Sequence, residues 1–142
     1  MKMASGVATE KPKAVLSGAD IINLQQLVRR MPVADHVYAY AERLVRVTRP
    51  KSPDALDFCQ KWLTWGAGPR AGLNLILAAK ARAMLNGEPY VACDDVAAVA
   101  PPVLRHRLIL NFAAQSESVR ADDIVAKILQ SVPKDQPLGN GE

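Results

Sequence analysis

The sequence predicts an all-α protein, a small bundle of five to six helices with at most a very short two-stranded ladder. Apolar residues recur with a period near 3.6 over most of the chain, and no alternating run of useful length is present. Capping residues and prolines divide this pattern into segments of helical length. With 142 residues, the chain has room for one domain with a single core.

The first two helices are separated by a proline. Ser17 is a suitable N-cap for the first helix, Asp20 lies in its first turn, and Pro32 ends it. Its apolar face comprises Ile21, Leu24, Leu27, Val28 and Met31. The second helix begins near Val33 and ends at the TRPKSP stretch. Its inward positions are Val37, Tyr40, Ala41, Leu44 and Val47.

The third and fourth helices flank a glycine-rich turn. The third is expected to follow Ser52, with Pro53 at its first position, and its Trp62 is expected in the core. The fourth runs from Pro69 to about Asn86. Apolar or small residues surround most of its circumference, which predicts the central and most buried position in the bundle.

An NGEP break follows the fourth helix. The next helix is expected to be interrupted at Pro101–Pro102, because proline removes a backbone donor and disturbs the preceding turn. A two-residue ladder is predicted between Tyr90–Val91 and Ile109–Leu110. The final helix spans residues 121 to 132.

Polar ends flank this helical body. Residues 1–14 and 134–142 offer little to bury, which predicts a linker and a flexible tail around a domain at 15–133. No apolar run approaches the roughly 20 residues of a membrane helix, so no membrane partner is expected. The N-terminal stretch also lacks the apolar run of a secretory signal, and we therefore expect a cytoplasmic protein.

The inventory of chemically active side chains is small. No histidine lies near either cysteine in the sequence, so no metal site is expected, and Cys59 and Cys93 are predicted as small core residues. The two histidines, His36 and His106, lie on different helices without a catalytic motif, and no phosphate-binding loop is present. No activity is therefore expected from this chain alone.

One arginine occupies an unusual position. In the stretch WGAGPRAGLNLILAAKARAML, Arg70 lies on the first turn of the fourth helix, where the helix dipole disfavours a cation by up to ~1 kcal/mol. A bound polyanion would reverse this preference, since the guanidinium and the helix N–H groups both attract phosphate oxygens. Gly66 and Gly68 would let the backbone approach such a ligand. A tight turn followed by a solvated arginine is the alternative.

Four motifs occur in one order: LVRVTRP, GAGPRA, YVACDDV and VLRHR. Together they resemble the C-terminal lid domain of the MoxR family of AAA+ ATPases, and the resemblance extends from about Val15 to Pro133. It implies a helical lid that packs over ATP held by a separate core, which would also supply the magnesium. The family's second-sensor arginine reaches the γ-phosphate, and the matching residue is Arg70, assigned as the catalytic residue, with Gly68 and Pro69 beside it.

The resemblance also implies partners. These are the chain's own AAA+ core domain, neighbouring subunits of a ring oligomer and a von Willebrand factor A domain protein, in chaperone-like remodelling of protein complexes. Where relatives often place a capping threonine before two helices, this chain has Ala92 and Arg120, so both first turns are expected to fray.

Other cations leave alternatives open. Arg43, Arg46 and Arg49 lie on one face of the second helix and are expected either to contact the nucleotide or a neighbouring subunit of a ring, or to form a solvated face. Arg49 is assigned to nucleotide binding because it lies in the TRP segment. The Arg105–Arg107 stretch either braces the lid internally or touches the next subunit.

Two rival functions remain. A free-standing helical nucleic-acid-binding module is one, although the net charge of +4 is low for a duplex-binding domain and argues against a nucleic-acid partner. A structural adaptor is the other.

Overall fold

The computed structural model describes residues 13–134, and helices dominate this range. The elements in chain order are α1 (Gly18–Arg30), α2 (Asp35–Arg46), α3 (Asp57–Trp62), β1 (Leu63–Trp65), α4 (Pro69–Leu85), α5 (Cys93–Leu104), β2 (Ile109–Leu110), α6 (Phe112–Ser116) and α7 (Ala121–Ser131). The prediction of an all-α bundle with a very short ladder is confirmed. The additional helix is α6, a single short turn whose N-cap Asn111 accepts from the backbone N–H of Ala114.

Helix α4 lies at the centre of the bundle, as predicted. It packs against α1, α2 and α5, and its contact with α5 is the most extensive. The buried side chains of α4 are mostly small: Ala71, Leu75, Ile76, Ala79 and Ala83. Its burial is one-sided, since Leu73 and Leu77 are exposed, and a larger share of α2 is buried. The prediction that α4 is the most buried helix is therefore wrong. The small residues let α5 approach closely.

The prolines of α5 do not interrupt it, so that prediction is wrong. The helix continues through Pro101 and Pro102 to Leu104. Burial of Ala100 and Leu104 anchors its last turn in the core. The carbonyl oxygen of Pro101 also accepts from both the backbone N–H and the Nε of Arg105. Tertiary packing thus outweighs the local cost of proline.

The predicted partner of β2 is also wrong. Residues 109–110 pair antiparallel with β1, with Leu63 opposite Leu110 and Trp65 opposite Ile109. Val91 instead forms a single parallel bridge with Val33. Asn111 fixes the observed pairing: its backbone N–H donates to the carbonyl of Trp62 at 3.0 Å, and its side chain donates to that of Lys61 at 2.8 Å.

Helix α3 starts at Asp57, later than predicted. The preceding residues form turns, with the N–H of Ser52 donating to the carbonyl of Arg49. The carboxylate of Asp54 binds the guanidinium of Arg46, 2.5 Å from its nearest nitrogen, rather than supporting a helix start at Pro53. Asp54 is therefore engaged with α2 and does not support the start of α3.

Neither α5 nor α7 has a side-chain cap, as predicted. In each helix, however, an aspartate three residues after the N-cap accepts from the backbone N–H of the N-cap residue. Asp95 accepts from the N–H of Ala92 at 3.0 Å, and Asp123 accepts from that of Arg120 at 2.9 Å. Asp95 is buried and also binds Arg82 of α4, which links the two helices. One acidic residue thus serves both the helix start and the packing between helices.

Both cysteines are buried, which confirms their predicted core positions. Burial raises the pKa of the Cys59 thiol from an ordinary value of 9.0 to about 12. Because the folded state favours the protonated thiol, this group stabilises the fold fully below pH 9. That contribution is lost as pH rises from about 9 towards 12.

We expect Cys59 to resist alkylation in the native protein. In a Cys93→Ser variant, where Cys59 is the sole thiol, iodoacetamide labelling at pH 8 should proceed more than tenfold more slowly without urea than in urea, because the thiolate is scarce and shielded. Mass spectrometry of timed samples measures both rates. Equal rates would contradict the buried environment.

Candidate functional site

The candidate site lies where the residue 66–68 turn leads into α4. Gly68 is the N-cap, with extended backbone angles of φ −80° and ψ 173°, and Pro69 occupies the first turn. No side chain caps this helix, and its first turn contains no acidic residue. Arg70 therefore lies at a helix start whose dipole is not offset by a local carboxylate.

Arg70 itself points to solvent. Its side chain is exposed, and among residues 13–134 no carboxylate lies within ion-pair distance of it. Arg120 provides a contrast, since it precedes a helix with two acidic residues in its first turn and lies 3.6 Å from Asp123. Arg70 is thus available to an anion from outside the domain.

The end of α2 holds the turn before α4. The hydroxyl of Thr48, which is fully buried, donates to the carbonyl of Val45 at 2.6 Å and accepts from the N–H of Ala67 at 2.9 Å. Arg49 donates from Nε to the carbonyl of Ala67 at 3.3 Å. Both polar backbone groups of Ala67 are therefore bound by consecutive residues of one segment.

Gly66 is required by the close approach of these two segments. A Cβ at this position would lie 2.2 Å from the carbonyl oxygen of Thr48, which is backbone and cannot rotate away. Gly68 has nothing within 4 Å of the corresponding point. The two glycines thus have different roles: Gly66 permits a backbone contact, and Gly68 begins the helix.

An open groove of about 1040 Å³ lies beside this turn, between α2 and α4. Arg49 and Pro69 both line it, together with apolar Leu73 and Leu77. Arg70 lies outside the lining. Of the residues assigned from sequence, Arg49 and Pro69 therefore line one groove, and Gly68 and Arg70 are not part of its lining.

The remaining cations are mostly engaged within the domain. Arg46 binds Asp54 and lies 3.6 Å from Glu42 of its own helix. A terminal nitrogen of Arg43 donates to the carbonyl of Pro133 at 3.1 Å. Both guanidinium groups therefore have partners within the domain, and the Arg46 side chain remains 47% exposed.

Arg105 braces two helices. Its Nε lies 3.2 Å from a carboxylate oxygen of Asp122 in the first turn of α7. Of the two possibilities left open for residues 105–107, this contact corresponds to internal bracing.

Sequence reasoning missed Thr48. Thr48 belongs to the LVRVTRP motif, in which Arg49 is the residue predicted to bind nucleotide. The available signal was that this motif and GAGPRA occur together, although nothing local shows that they meet. Trp62 is buried, as predicted, whereas Trp65 is exposed.

The described residues can also be compared with the requirements of a metal site and of a membrane-spanning helix. Within the described range, no three histidine, cysteine, aspartate or glutamate residues are grouped so as to hold a metal ion. None of the described helices is long and apolar enough to cross a membrane.

Known proteins share this sequence and fold. A family model described as AAA lid domain matches residues 58–128. The chain is 34% identical to Chaperone MoxR1 of Mycobacterium tuberculosis over 89% of this chain and 34% of that protein. It is 32% identical to the uncharacterized protein YeaC of Bacillus subtilis over 87% of this chain and 36% of that protein. The chain thus spans about a third of the length of these relatives.

A solved structure agrees with these matches. The crystal structure of a putative ATPase from Cytophaga hutchinsonii superposes with a TM-score of 0.76 at 30% identity, covering 81% of this chain and 35% of that chain. Protein MoxR of Methylorubrum extorquens is 32% identical over 48% of this chain and 20% of that protein. The chain therefore belongs to the AAA lid domain family, as the lid region of a MoxR-family AAA+ ATPase.

Proposed function

We propose that this chain closes over ATP bound by a separate ATPase core and contributes Arg70 to the terminal phosphate. The observation that supports this role is the exposed guanidinium at an uncapped helix start without an acidic neighbour. A charge-assisted contact of this kind contributes roughly 1.5 to 3 kcal/mol, which shifts lid closure by tens-fold or more. Loss of the γ-phosphate then releases the lid.

The neighbouring residues have supporting roles in this proposal. Gly68 and Pro69 begin the helix that presents Arg70, and Arg49 lies on the other side of the same turn. ATP and its magnesium would be held mainly by the core. Large apolar side chains remain exposed on α1 and β1, among them Ile22, Leu27 and Trp65, and suit contact with other domains.

The wider assembly is proposed on the relatives' names and on the motifs. A ring of subunits would carry out chaperone-like remodelling, since one relative is named as a chaperone and a structural neighbour as a putative ATPase. A von Willebrand factor A domain partner and a cytoplasmic location belong to the same proposal. No feature of the described residues favours the nucleic-acid-binding alternative over this role.

The proposal is tested by nuclear magnetic resonance of the 142-residue chain. Millimolar ATP should shift the amide signals of Gly68, Arg70 and Ala71 more than ADP does, and Arg70→Ala should remove the difference. Arg120→Ala is the matched control, because it also deletes an arginine at a helix start but should keep the ATP response. A response that persists in Arg70→Ala would contradict the role of Arg70. Tight, strongly salt-dependent binding of duplex DNA would support the rival function instead.

A further inference from the structure

We propose that Thr48 is a positioning residue for Arg70: its buried hydroxyl fixes the backbone from which α4 starts and so sets the direction of the arginine. The proposal rests on the phosphate contact proposed for Arg70 and adds to it a residue that never touches the nucleotide. Three observations support it. They are the two hydrogen bonds of the Thr48 hydroxyl, the hydrogen bond from Arg49 to the carbonyl of Ala67, and the absence of a side-chain cap on α4.

The two hydrogen bonds of Thr48 define its orientation. A hydroxyl has one hydrogen, and Thr48 uses it on the carbonyl of Val45 at 2.6 Å. Only its acceptor capacity remains for Ala67, whose N–H donates to it at 2.9 Å. Since the side chain is fully buried, water cannot replace either partner without opening the core. The hydroxyl therefore connects the last turn of α2 to the turn before α4.

Two further contacts fix the backbone on either side of this bond. Arg49 donates to the carbonyl of Ala67 at 3.3 Å. Gly66 lies so close to the Thr48 carbonyl that even a methyl group would not fit. The backbone at residues 66 and 67 is thereby held against the end of α2 by two hydrogen bonds and one tight packing contact.

The short path from Ala67 to Arg70 transmits this position. Only Gly68 and Pro69 intervene, and the proline ring fixes one of the connecting backbone torsions. The N–H of Ala71 donates to the carbonyl of Gly68 at 2.9 Å, which closes the first turn. Because no side chain caps α4, the hydrogen bonds that Thr48 and Arg49 form with Ala67 anchor this helix start locally. A shift at Ala67 would redirect the guanidinium.

The test compares Thr48→Val, which keeps the shape and removes both bonds, with Thr48→Ser, which keeps the hydroxyl. The first readout is hydrogen exchange of the Ala67 amide in the 142-residue chain. The second is the ratio of ATP-induced to ADP-induced shifts at the amides of Gly68, Arg70 and Ala71. Arg70→Ala is the reference for loss of the phosphate contact alone.

We expect Thr48→Val to accelerate exchange at Ala67 at least tenfold and to reduce the ATP-to-ADP ratio towards that of Arg70→Ala. Thr48→Ser should restore both readouts. Arg70→Ala should leave exchange at Ala67 unchanged. If Thr48→Val does not fold, Thr48→Ala removes the same hydroxyl with a smaller side chain and is expected to give the same two results.

Two outcomes would overturn the positioning role alone. In the first, Ala67 exchanges in Thr48→Val as it does in the parent chain. In the second, the Ala67 amide exchanges faster but the ATP-to-ADP ratio stays at the parent value, which would show that the hydroxyl is only structural. If the parent chain itself does not distinguish ATP from ADP, ATP turnover of a complete ATPase subunit carrying this lid replaces the ratio. Unchanged turnover in Arg70→Ala would then refute the role of Arg70, and the positioning role would fail with it.

Discussion

Replacing Arg70 by alanine in a complete ATPase subunit is expected to lower ATP turnover by about 10- to 150-fold. This range converts a lost charge-assisted contact of roughly 1.5 to 3 kcal/mol into a rate, if the contact is made in the transition state. A suitable subunit is a chimaera in which residues 13–134 replace the matching region of the Cytophaga hutchinsonii protein, a putative ATPase. Phosphate release at saturating ATP measures the turnover.

The effect should be confined to the site. Arg70 is exposed and forms no ion pair within the described range, so its loss should change the free energy of unfolding by less than about 0.5 kcal/mol. Arg120→Ala in the same chimaera should retain turnover within about twofold, because that arginine is paired with Asp123. Equal turnover in Arg70→Ala and the unmodified chimaera would remove Arg70 from the mechanism.

Replacing Gly66 by alanine is expected to lower the free energy of unfolding by at least about 2 kcal/mol, through forced movement of a packed backbone. The added Cβ would lie 2.2 and 2.5 Å from the carbonyl oxygen and carbon of Thr48 and 2.8 Å from the nitrogen of Arg49. All three atoms belong to backbone, so no side chain can move aside. The segment must shift and strain the bonds to Ala67. Urea unfolding followed by circular dichroism of the helices measures the loss.

Gly68→Ala is the matched control for this substitution. The position lies two residues away in the same turn, yet a Cβ there meets nothing within 4 Å. Alanine is a poorer N-cap than glycine, so a loss below about 1 kcal/mol is expected. Comparable losses in the two variants would show that the approach of residue 66 to Thr48 is not tightly packed.

The sequence predicts well those parts of the fold that depend on periodicity and local chemistry. The central position of α4 follows from its apolar and small residues, and the cap of α1 follows from Ser17 and Asp20, which form reciprocal bonds. Contacts between distant residues produced the differences. Asp54 binds Arg46 and α3 starts later, while Asn111 holds β2 against β1 instead of near Val91. No local pattern encodes these partners.

The same distinction between local patterns and contacts of distant residues applies to the candidate site. Arg70 could be assigned because a helix start and its motif are contiguous in the sequence. The role of Thr48 could not, because its partner Ala67 is 19 residues away and the bond depends on how α2 packs against the turn. Arg49 lies beside the same turn with its Nε bound to a backbone carbonyl, and its assignment to nucleotide binding stays a prediction.

The proposed contact between Arg70 and the terminal phosphate of ATP can be observed in a crystal structure of the chimaera with a non-hydrolysable ATP analogue and magnesium. The Arg70 guanidinium should lie within hydrogen-bond distance of a γ-phosphate oxygen. A fully bound analogue with the lid closed and that guanidinium directed away from the phosphates, or paired with a carboxylate, would contradict it.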